Sequence, residues 1–175
     1  IRKSRPARRF TPTAQYILLY HLQVERLEGL SARDISKKLP YSYESITLGL
    51  TCLNDLGLCQ KVSEGTKSKI IQFSSKGKEL WDKAADYLID PVEKRVYCDY
   101  LATESTFAKC NINALSHYTW LNPDNSLMLT MSRKEFQGLI AEKALHNMNE
   151  FDGNVMIEVW KYPVVSLLGN VNEWV

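Results

Sequence analysis

The 175-residue sequence lacks any apolar run long enough to cross a bilayer. A membrane-spanning helix needs about 20 consecutive apolar residues, and no stretch approaches that length. The first residues are basic and polar, without the apolar core of a secretory signal peptide. We therefore expect no membrane partner and a globular chain of ordinary composition, 45% hydrophobic and 24% charged.

Cysteine pairs of the kind that bind metals are also missing. The four cysteines, Cys52, Cys59, Cys98 and Cys110, form no C-x-x-C motif, and no His lies at zinc-ligand spacing from them. This pattern indicates buried or half-buried free thiols in a reducing compartment. We predict no metal and no other cofactor.

Motifs of catalysis are absent as well. The sequence has no G-x-S-x-G, P-loop or glycine-rich dinucleotide turn, and its three histidines, His21, His117 and His146, have no Ser or Cys partner in a known motif. The aromatic stretch "HYTW" at residues 117–120 could line a ligand pocket, although core packing is the favoured interpretation. We predict that the protein is not an enzyme.

One enzymatic alternative stays open, a metal-dependent nuclease built on Asp152, Glu158 and Lys161. Such sites commonly have one residue between Glu and Lys, whereas this chain has two. On a strand that spacing places Glu158 and Lys161 on opposite faces. A structural edge formed by Trp160 and Tyr162 is the better interpretation of this stretch.

Charge is unevenly distributed although the net charge is only +2. Residues 1–88 hold 15 Lys and Arg against 9 Asp and Glu, a net of +6, and residues 89–175 hold 7 against 11, a net of −4. The asymmetry indicates that the first half meets an anionic partner. Residues 1–10 form a basic arm, for which a solvated tail is the alternative interpretation. Its basic residues are Arg2, Lys3, Arg5, Arg8 and Arg9.

Three helices are predicted after the arm. "TPTAQYILLYHLQVERL" has Thr11 as cap and Pro12 at the first helical position. Ser31 caps a second helix in "LSARDISKKLP", with Asp34 three residues on, and Pro40 stops it. Ser42 caps the third, which ends at Gly57. The third helix has an inward stripe of Ile46, Leu50, Leu53 and Leu56.

A hairpin and a fourth helix follow. "LCQKV" and "KIIQF" flank the polar turn "SEGTKS", which is a hairpin signal, and "SSKGKELWDKAADYL" is helical. The order helix, helix, helix, hairpin, helix is typical of a winged helix-turn-helix. We place this domain at residues 11–90, with Pro91 marking its end.

Residues 91–175 are predicted to form an α+β domain with a small sheet, which makes the whole chain α+β. Its predicted strands are "KRVYCDYL", "SLMLTM" and "NVMIEVWKYPVV". A short helix is predicted at "NINALSHYTWL", and a helix or half-ordered segment at "SRKEFQGLIAEKAL". Ser132 caps the last of these, with Glu135 three residues on. We expect this domain to sense a small-molecule effector or to bind a protein.

The arrangement predicts a double-stranded DNA partner. In this architecture the exposed start of the third helix enters the major groove and the hairpin contacts the backbone, while a basic arm can reach the minor groove. A homodimer is expected, since such proteins commonly read paired half-sites. The predicted DNA contacts are Arg2, Lys3, Arg5, Arg8, Arg9, Ser42, Tyr43, Ser45, Thr47, Leu48, Lys61, Lys67 and Lys69.

Two features oppose strong guanine readout by the third helix. Glu44 brings negative charge to the helix start, and no Lys or Arg occurs from Tyr41 to Gln60. A domain of the same architecture that is used only for protein contact is therefore an alternative.

The stretch "LPYSYESITLGLTCLNDLGLCQKV", followed by "FSSKGKELWDKA", resembles the winged-helix domains of MarR-like bacterial regulators. "YLIDPVEKRVY", "NALSHYTWL" and "IEVWKYPVVSLLG" look like the regulators related to AbiEi-type antitoxins. Together the resemblance spans nearly all of residues 10–170. It implies a cytoplasmic bacterial transcriptional regulator, with an autoregulatory antitoxin that binds a nucleotidyltransferase-type toxin as the alternative. The chain has Leu48 where the family often has Arg.

Overall fold

The structure is a computed structural model that describes residues 9–64, 68–103 and 106–165. The chain forms two compact units, which meet in sequence between Ile89 and Asp90. The sequence analysis predicted this boundary at Pro91. We call residues 9–89 the first unit and residues 90–164 the second unit. Both contain helices and strands, in agreement with the predicted α+β class.

The first unit has the predicted order of elements. Three helices precede a two-stranded hairpin, and a short helix closes the unit. The elements are α1 (Pro12–Gln23), α2 (Ala32–Lys38), α3 (Tyr43–Asp55), β1 (Cys59–Glu64), β2 (Ser68–Phe73) and α4 (Gly77–Ala84), which continues as a single 3-10 turn (Ala85–Tyr87).

Hydroxyl caps set the starts of α1, α2 and α3. Thr11, Ser31 and Ser42 each accept a hydrogen bond from the backbone N–H three residues further on, at 3.2 Å in each case. These bonds satisfy donors that would otherwise lack a partner in the first turn. Gly57 follows α3 with a φ of 73°, a left-handed conformation that favours glycine. The predicted caps are confirmed.

The end of α1 was predicted wrongly, because the helix stops at Gln23 instead of running on to Leu27. Nδ1 of His21 accepts a hydrogen bond from the backbone N–H of Leu27 at 2.9 Å. The chain therefore folds back over its own last turn, and Leu27 is fully buried. The His21 ring also stacks on Phe73, with centroids 3.7 Å apart.

The core of the first unit lies between α1, α2, α3 and the hairpin. Of the predicted stripe on α3, Ile46, Leu50 and Leu53 are fully buried, and Leu56 is half-buried. Gly49 lets α1 approach α3 closely, since a Cβ there would lie 2.9 Å from Cδ1 of Ile17. The stripe therefore serves mainly to fix the orientation of α3.

The predicted hairpin is confirmed as an antiparallel pair of β1 and β2. Lys61 lies opposite Ile71, and Ser63 lies opposite Lys69. The tip, residues 65–67, lies outside the described residues. Backbone hydrogen bonds join Ile71 to Gly29 and Leu30, so the chain entering α2 is bonded to the hairpin.

The second unit is built around a four-stranded sheet in the order β3-β8-β6-β5. Strand β8 is antiparallel to β3 and parallel to β6, and β4 pairs separately with β7. The elements are β3 (Val92–Cys98), β4 (Tyr100–Leu101), β5 (Ala108–Lys109), α5 (Asn111–Leu115), β6 (Leu127–Ser132), α6 (Arg133–Ala141), β7 (Leu145–His146) and β8 (Val155–Trp160). The strand predicted at "KRVYCDYL" is thus two strands, because the backbone N–H of Asp99 bonds to His146 and breaks the ladder.

Helix α6 covers one face of this sheet. Ser132 and Glu135 form the predicted capping box at its start, and Phe136 and Leu139 pack into the core. All residues from Val155 to Val159 are buried, because β8 is a central strand. Among the described residues, none of the helices combines the length and the apolar character that crossing a membrane requires.

Candidate nucleic-acid interface

The exposed face of α3 lies opposite its buried stripe. Glu44, Leu48, Thr51 and Asp55 recur at spacings of four, three and four residues, so they share one side of the helix. Leu48 is 69% exposed. Tyr43, at the start of α3, is 52% exposed.

The hydroxyl groups near this face bond to the helix itself. Thr47 donates to the carbonyl oxygen of Tyr43 at 2.9 Å, and Thr51 donates to that of Thr47 at 2.8 Å. The side chain of Ser42 caps the helix, and its Oγ lies 3.1 Å from Oγ of Ser45. These predicted contact residues therefore have a structural role in the free protein.

The two hairpin lysines that the structure describes, Lys61 and Lys69, lie on the same face of the hairpin as the buried Cys59 and Phe73. Residues opposite each other in an antiparallel pair share a face, and at the base of this face Cys59 and Phe73 are buried. Further out the same face carries Lys61 and Lys69, both exposed. Nζ of Lys61 donates to Oγ1 of Thr51 at 3.4 Å, so this cation lies directly beside α3.

A second cationic residue, Arg9, lies beside α3, where its backbone contacts the helix. The thiol of Cys52 donates to the carbonyl oxygen of Arg9 at 3.9 Å. Arg9 helps to line a shallow groove of about 310 Å³. The other residues lining the groove are Leu48, Thr51, Cys52, Asp55 and Leu56. Cys52 and Asp55 were missed in the sequence analysis, although their helical spacing from Leu48 would have identified them.

The structure thus brings Arg9, Tyr43, Thr47, Leu48 and Lys61 together on or beside α3. Ser42, Ser45 and Lys69 lie at the helix start and on the hairpin. The other predicted contacts, Arg2, Lys3, Arg5, Arg8 and Lys67, lie outside the described residues.

The charge on α3 itself is negative. Glu44 and Asp55 are both exposed, and α3, which the structure describes in full, contains no Lys or Arg. Glu44 lies in the first turn, where it stabilises the helix dipole. Any attraction to an anion at this surface must therefore come from the flanking cations.

In the second unit, Glu158 is almost fully buried, 4% exposed. Oε1 accepts hydrogen bonds from Nε of Arg95 at 3.0 Å and from Nδ2 of Asn111 at 3.2 Å. Lys161 donates to a backbone carbonyl oxygen at 2.8 Å instead. Within the described ranges no group of three or more His, Cys, Asp or Glu side chains could hold a metal. Glu158 is therefore a buried carboxylate that is hydrogen-bonded and paired with the half-exposed Arg95, and it is not open to a ligand.

The packing prediction for residues 117–120 was wrong, because all four are exposed. The side chain of Asn113 is buried and bonds to the backbone of Asp124 and Ser126, at 2.7 Å in each case. The amide of Asn113 is thus the buried group of this segment, and the aromatic residues that follow it lie on the outside. Trp120 is 101% exposed. We call residues 115–121 the aromatic loop. Its exposed apolar residues are Leu115, Tyr118, Trp120 and Leu121.

The four cysteines are free thiols. Burial raises the pKa of Cys59 to about 11 and that of Cys110 to about 12. Burial also raises the pKa of Cys98. These three thiols therefore stay protonated near neutral pH, which makes them poor nucleophiles.

Comparisons of the chain with protein-family models, with curated proteins and with solved structures find no match.

Proposed function

We propose that the first unit is a winged helix-turn-helix domain that binds double-stranded DNA, and that the protein is a transcriptional regulator. The observation that carries this proposal is that two cationic residues lie beside the exposed face of α3. The Lys61 side chain bonds to Thr51. Arg9, whose backbone carbonyl oxygen accepts a hydrogen bond from Cys52, helps to line the groove that includes Leu48. A duplex that accepted α3 in its major groove would bring its phosphates towards these cations.

Each element has a distinct role in the proposal. The start of α3, with Tyr43 and Leu48, faces base edges. The hairpin places Lys61 and Lys69 on the phosphate backbone, and the basic residues that precede Arg9 in the sequence add positive charge to the domain. The second unit binds an effector or a protein, and two copies of the chain read paired half-sites.

The salt dependence of binding tests this proposal. Each phosphate that a lysine neutralises adds about 0.9 to the slope of log affinity against log salt. We expect the double variant Lys61→Ala/Lys69→Ala to reduce the slope by about 2. The measurement is fluorescence anisotropy with labelled duplexes from the region upstream of the gene.

A matched control uses Lys109→Ala/Lys134→Ala, which removes two exposed lysines of the second unit. The control should keep the parental slope. Failure of the parent protein to bind any duplex at low salt would count against the proposal. If the two double variants had the same salt-dependence slope, the hairpin lysines would not contact phosphates.

A second candidate function is that of an antitoxin-like protein, and the aromatic loop favours it. Exposed aromatic residues on a preorganised loop are typical anchors of protein interfaces. If a neighbouring gene encodes a nucleotidyltransferase-type toxin, the two proteins should co-purify. Trp120→Ser should abolish the complex, whereas Phe151→Ser, which removes another exposed aromatic residue of the second unit, should not. A protein that elutes without its neighbour's product would argue against this candidate.

A further inference from the structure

The side chains of α3 restrict which bases this helix can read. Guanine is commonly read by Arg or Lys and adenine by Asn or Gln, each through two hydrogen bonds. From Tyr43 to Asp55 the helix has none of these residues except Asn54, which lies in its last turn. Recognition helices contact bases mainly through their first turns. Strong hydrogen-bonded readout of purines is therefore absent from the part of α3 that would approach the bases.

The hydroxyl groups of Thr47 and Thr51 do not supply the missing hydrogen-bond donors. The Thr47 hydroxyl donates its hydrogen to a backbone carbonyl oxygen. The Thr51 hydroxyl donates to a carbonyl oxygen and also accepts from Nζ of Lys61. Neither hydroxyl therefore has a hydrogen left to donate to a base, and each threonine also carries a methyl group. Between them on the exposed face lies the Leu48 side chain, the most exposed apolar group of α3.

We infer that α3 recognises thymine through its 5-methyl group, with Leu48 as the main contact and the methyl groups of Thr47 and Thr51 beside it. This inference rests on the proposed DNA-binding function. The thymine methyl is the one apolar group on the major-groove edge of the base pairs, and side chains such as Thr contact it in known interfaces. Leu48 gains by leaving water when it meets such a group.

Glu44 fits the same interface as an acceptor. It lies one turn before Leu48 on the exposed face, and a carboxylate can accept a hydrogen bond from the amino group of cytosine. Its charge is unfavourable near phosphate, and therefore Glu44 is better placed over base edges than over the backbone. The helix would then read methyl and amino groups, while the flanking cations supply the affinity.

Replacement of thymine by deoxyuridine tests the inference, since the two bases differ only by the methyl group. A site is first selected from a randomised duplex library with the full chain. Deoxyuridine then replaces each thymine of that site in turn, and anisotropy gives the affinities. Loss of one methyl contact should weaken binding about fourfold. We expect this loss at one to about three positions, since only a short length of helix fits in one groove.

Leu48→Ala should abolish the difference between thymine and deoxyuridine at its position. The variant removes an exposed side chain, so the fold should be retained, and its Tm checks this point. Leu121→Ala is the matched control, because it truncates an exposed leucine of the second unit. Thr47→Ser and Thr51→Ser remove a methyl group and keep the hydroxyl, and they test the two flanking contacts separately.

The outcomes separate the inference from the function on which it rests. Salt-dependent binding with equal affinity for thymine and deoxyuridine at every position overturns methyl recognition and leaves DNA binding intact. Sensitivity to deoxyuridine that persists in Leu48→Ala, Thr47→Ser and Thr51→Ser overturns the assignment to α3. Absence of duplex binding at low salt removes both the inference and the proposed function.

Discussion

Acidification should destabilise the first unit through His21. The imidazole is buried, and its Nδ1 accepts a hydrogen bond from the Leu27 backbone. Burial and then the nearby charge of Arg26 lower the pKa of His21 from 6.5 to about 4. A protonated Nδ1 could not accept the bond that turns the chain back over α1. The folded state therefore requires the neutral form of this side chain.

The direction of the pH effect follows from the lowered pKa. As pH falls below 6.5 the unfolded chain takes up the proton first, so protonation favours unfolding. The contribution of His21 is fully present above pH 6.5 and is lost as pH falls towards about 4. The shift corresponds to roughly 3 kcal/mol in total, of which about 2.5 kcal/mol is lost by about pH 4.5.

Urea unfolding followed by circular dichroism measures this loss, since the first unit holds four of the six helices that the structure describes. The free energy of unfolding is compared at about pH 8 and about pH 4.5. His21→Gln should be less stable at the higher pH and should show a flatter pH dependence. His117→Gln, at an exposed position, is the control and should follow the parent protein.

Carboxylates that affect stability titrate lower in pH. The hydroxyl of Ser31 lowers the pKa of Asp34, and Lys83 lowers that of Glu79. Their contributions are lost below their ordinary pKa values of about 4. The range between pH 6.5 and about 4.5 therefore reports on His21. If His21→Gln showed the same pH dependence as the parent in that range, the assignment of a neutral, bonded imidazole would be refuted.

Two further predictions concern the second unit. Gly153→Ala should destabilise it by several kcal/mol or prevent its folding, because a Cβ would lie 2.5 Å from the carbonyl oxygen of Cys98. Gly138→Ala, in α6, should stabilise it by about 0.5–1 kcal/mol, because a Cβ there would have nothing within 4 Å. Thermal unfolding measures both variants, and equal effects on Tm would contradict the packing around Gly153. Arg95→Met should lower the free energy of unfolding by about 2 kcal/mol, because it leaves the buried Glu158 without the charge of Arg95. The loss is moderate because Arg95 itself is half exposed. An unchanged Tm would show that the ion pair adds nothing to stability.

Local signals in the sequence were sufficient for most elements of the first unit. A hydroxyl residue before an apolar stripe identified the starts of α1, α2 and α3, and Gly57 identified the end of α3. These signals work because capping and left-handed backbone involve only neighbouring residues. The exposed face of α3 follows from the same periodicity, since residues opposite a buried stripe must lie outside.

Side-chain contacts across turns and loops decided the rest. The end of α1 depends on the ring of His21 reaching Leu27, and the outward turn of the aromatic loop depends on the buried amide of Asn113. Neither bond leaves a periodic signal in the sequence, because each needs a partner that only the folded chain supplies. The positions of Lys61 and Arg9 beside α3 also depend on such contacts. The sequence by itself determined that these residues are cationic. Only the tertiary structure decided which residues of α3 they lie beside, because proximity across loops is set by packing and not by spacing along the chain.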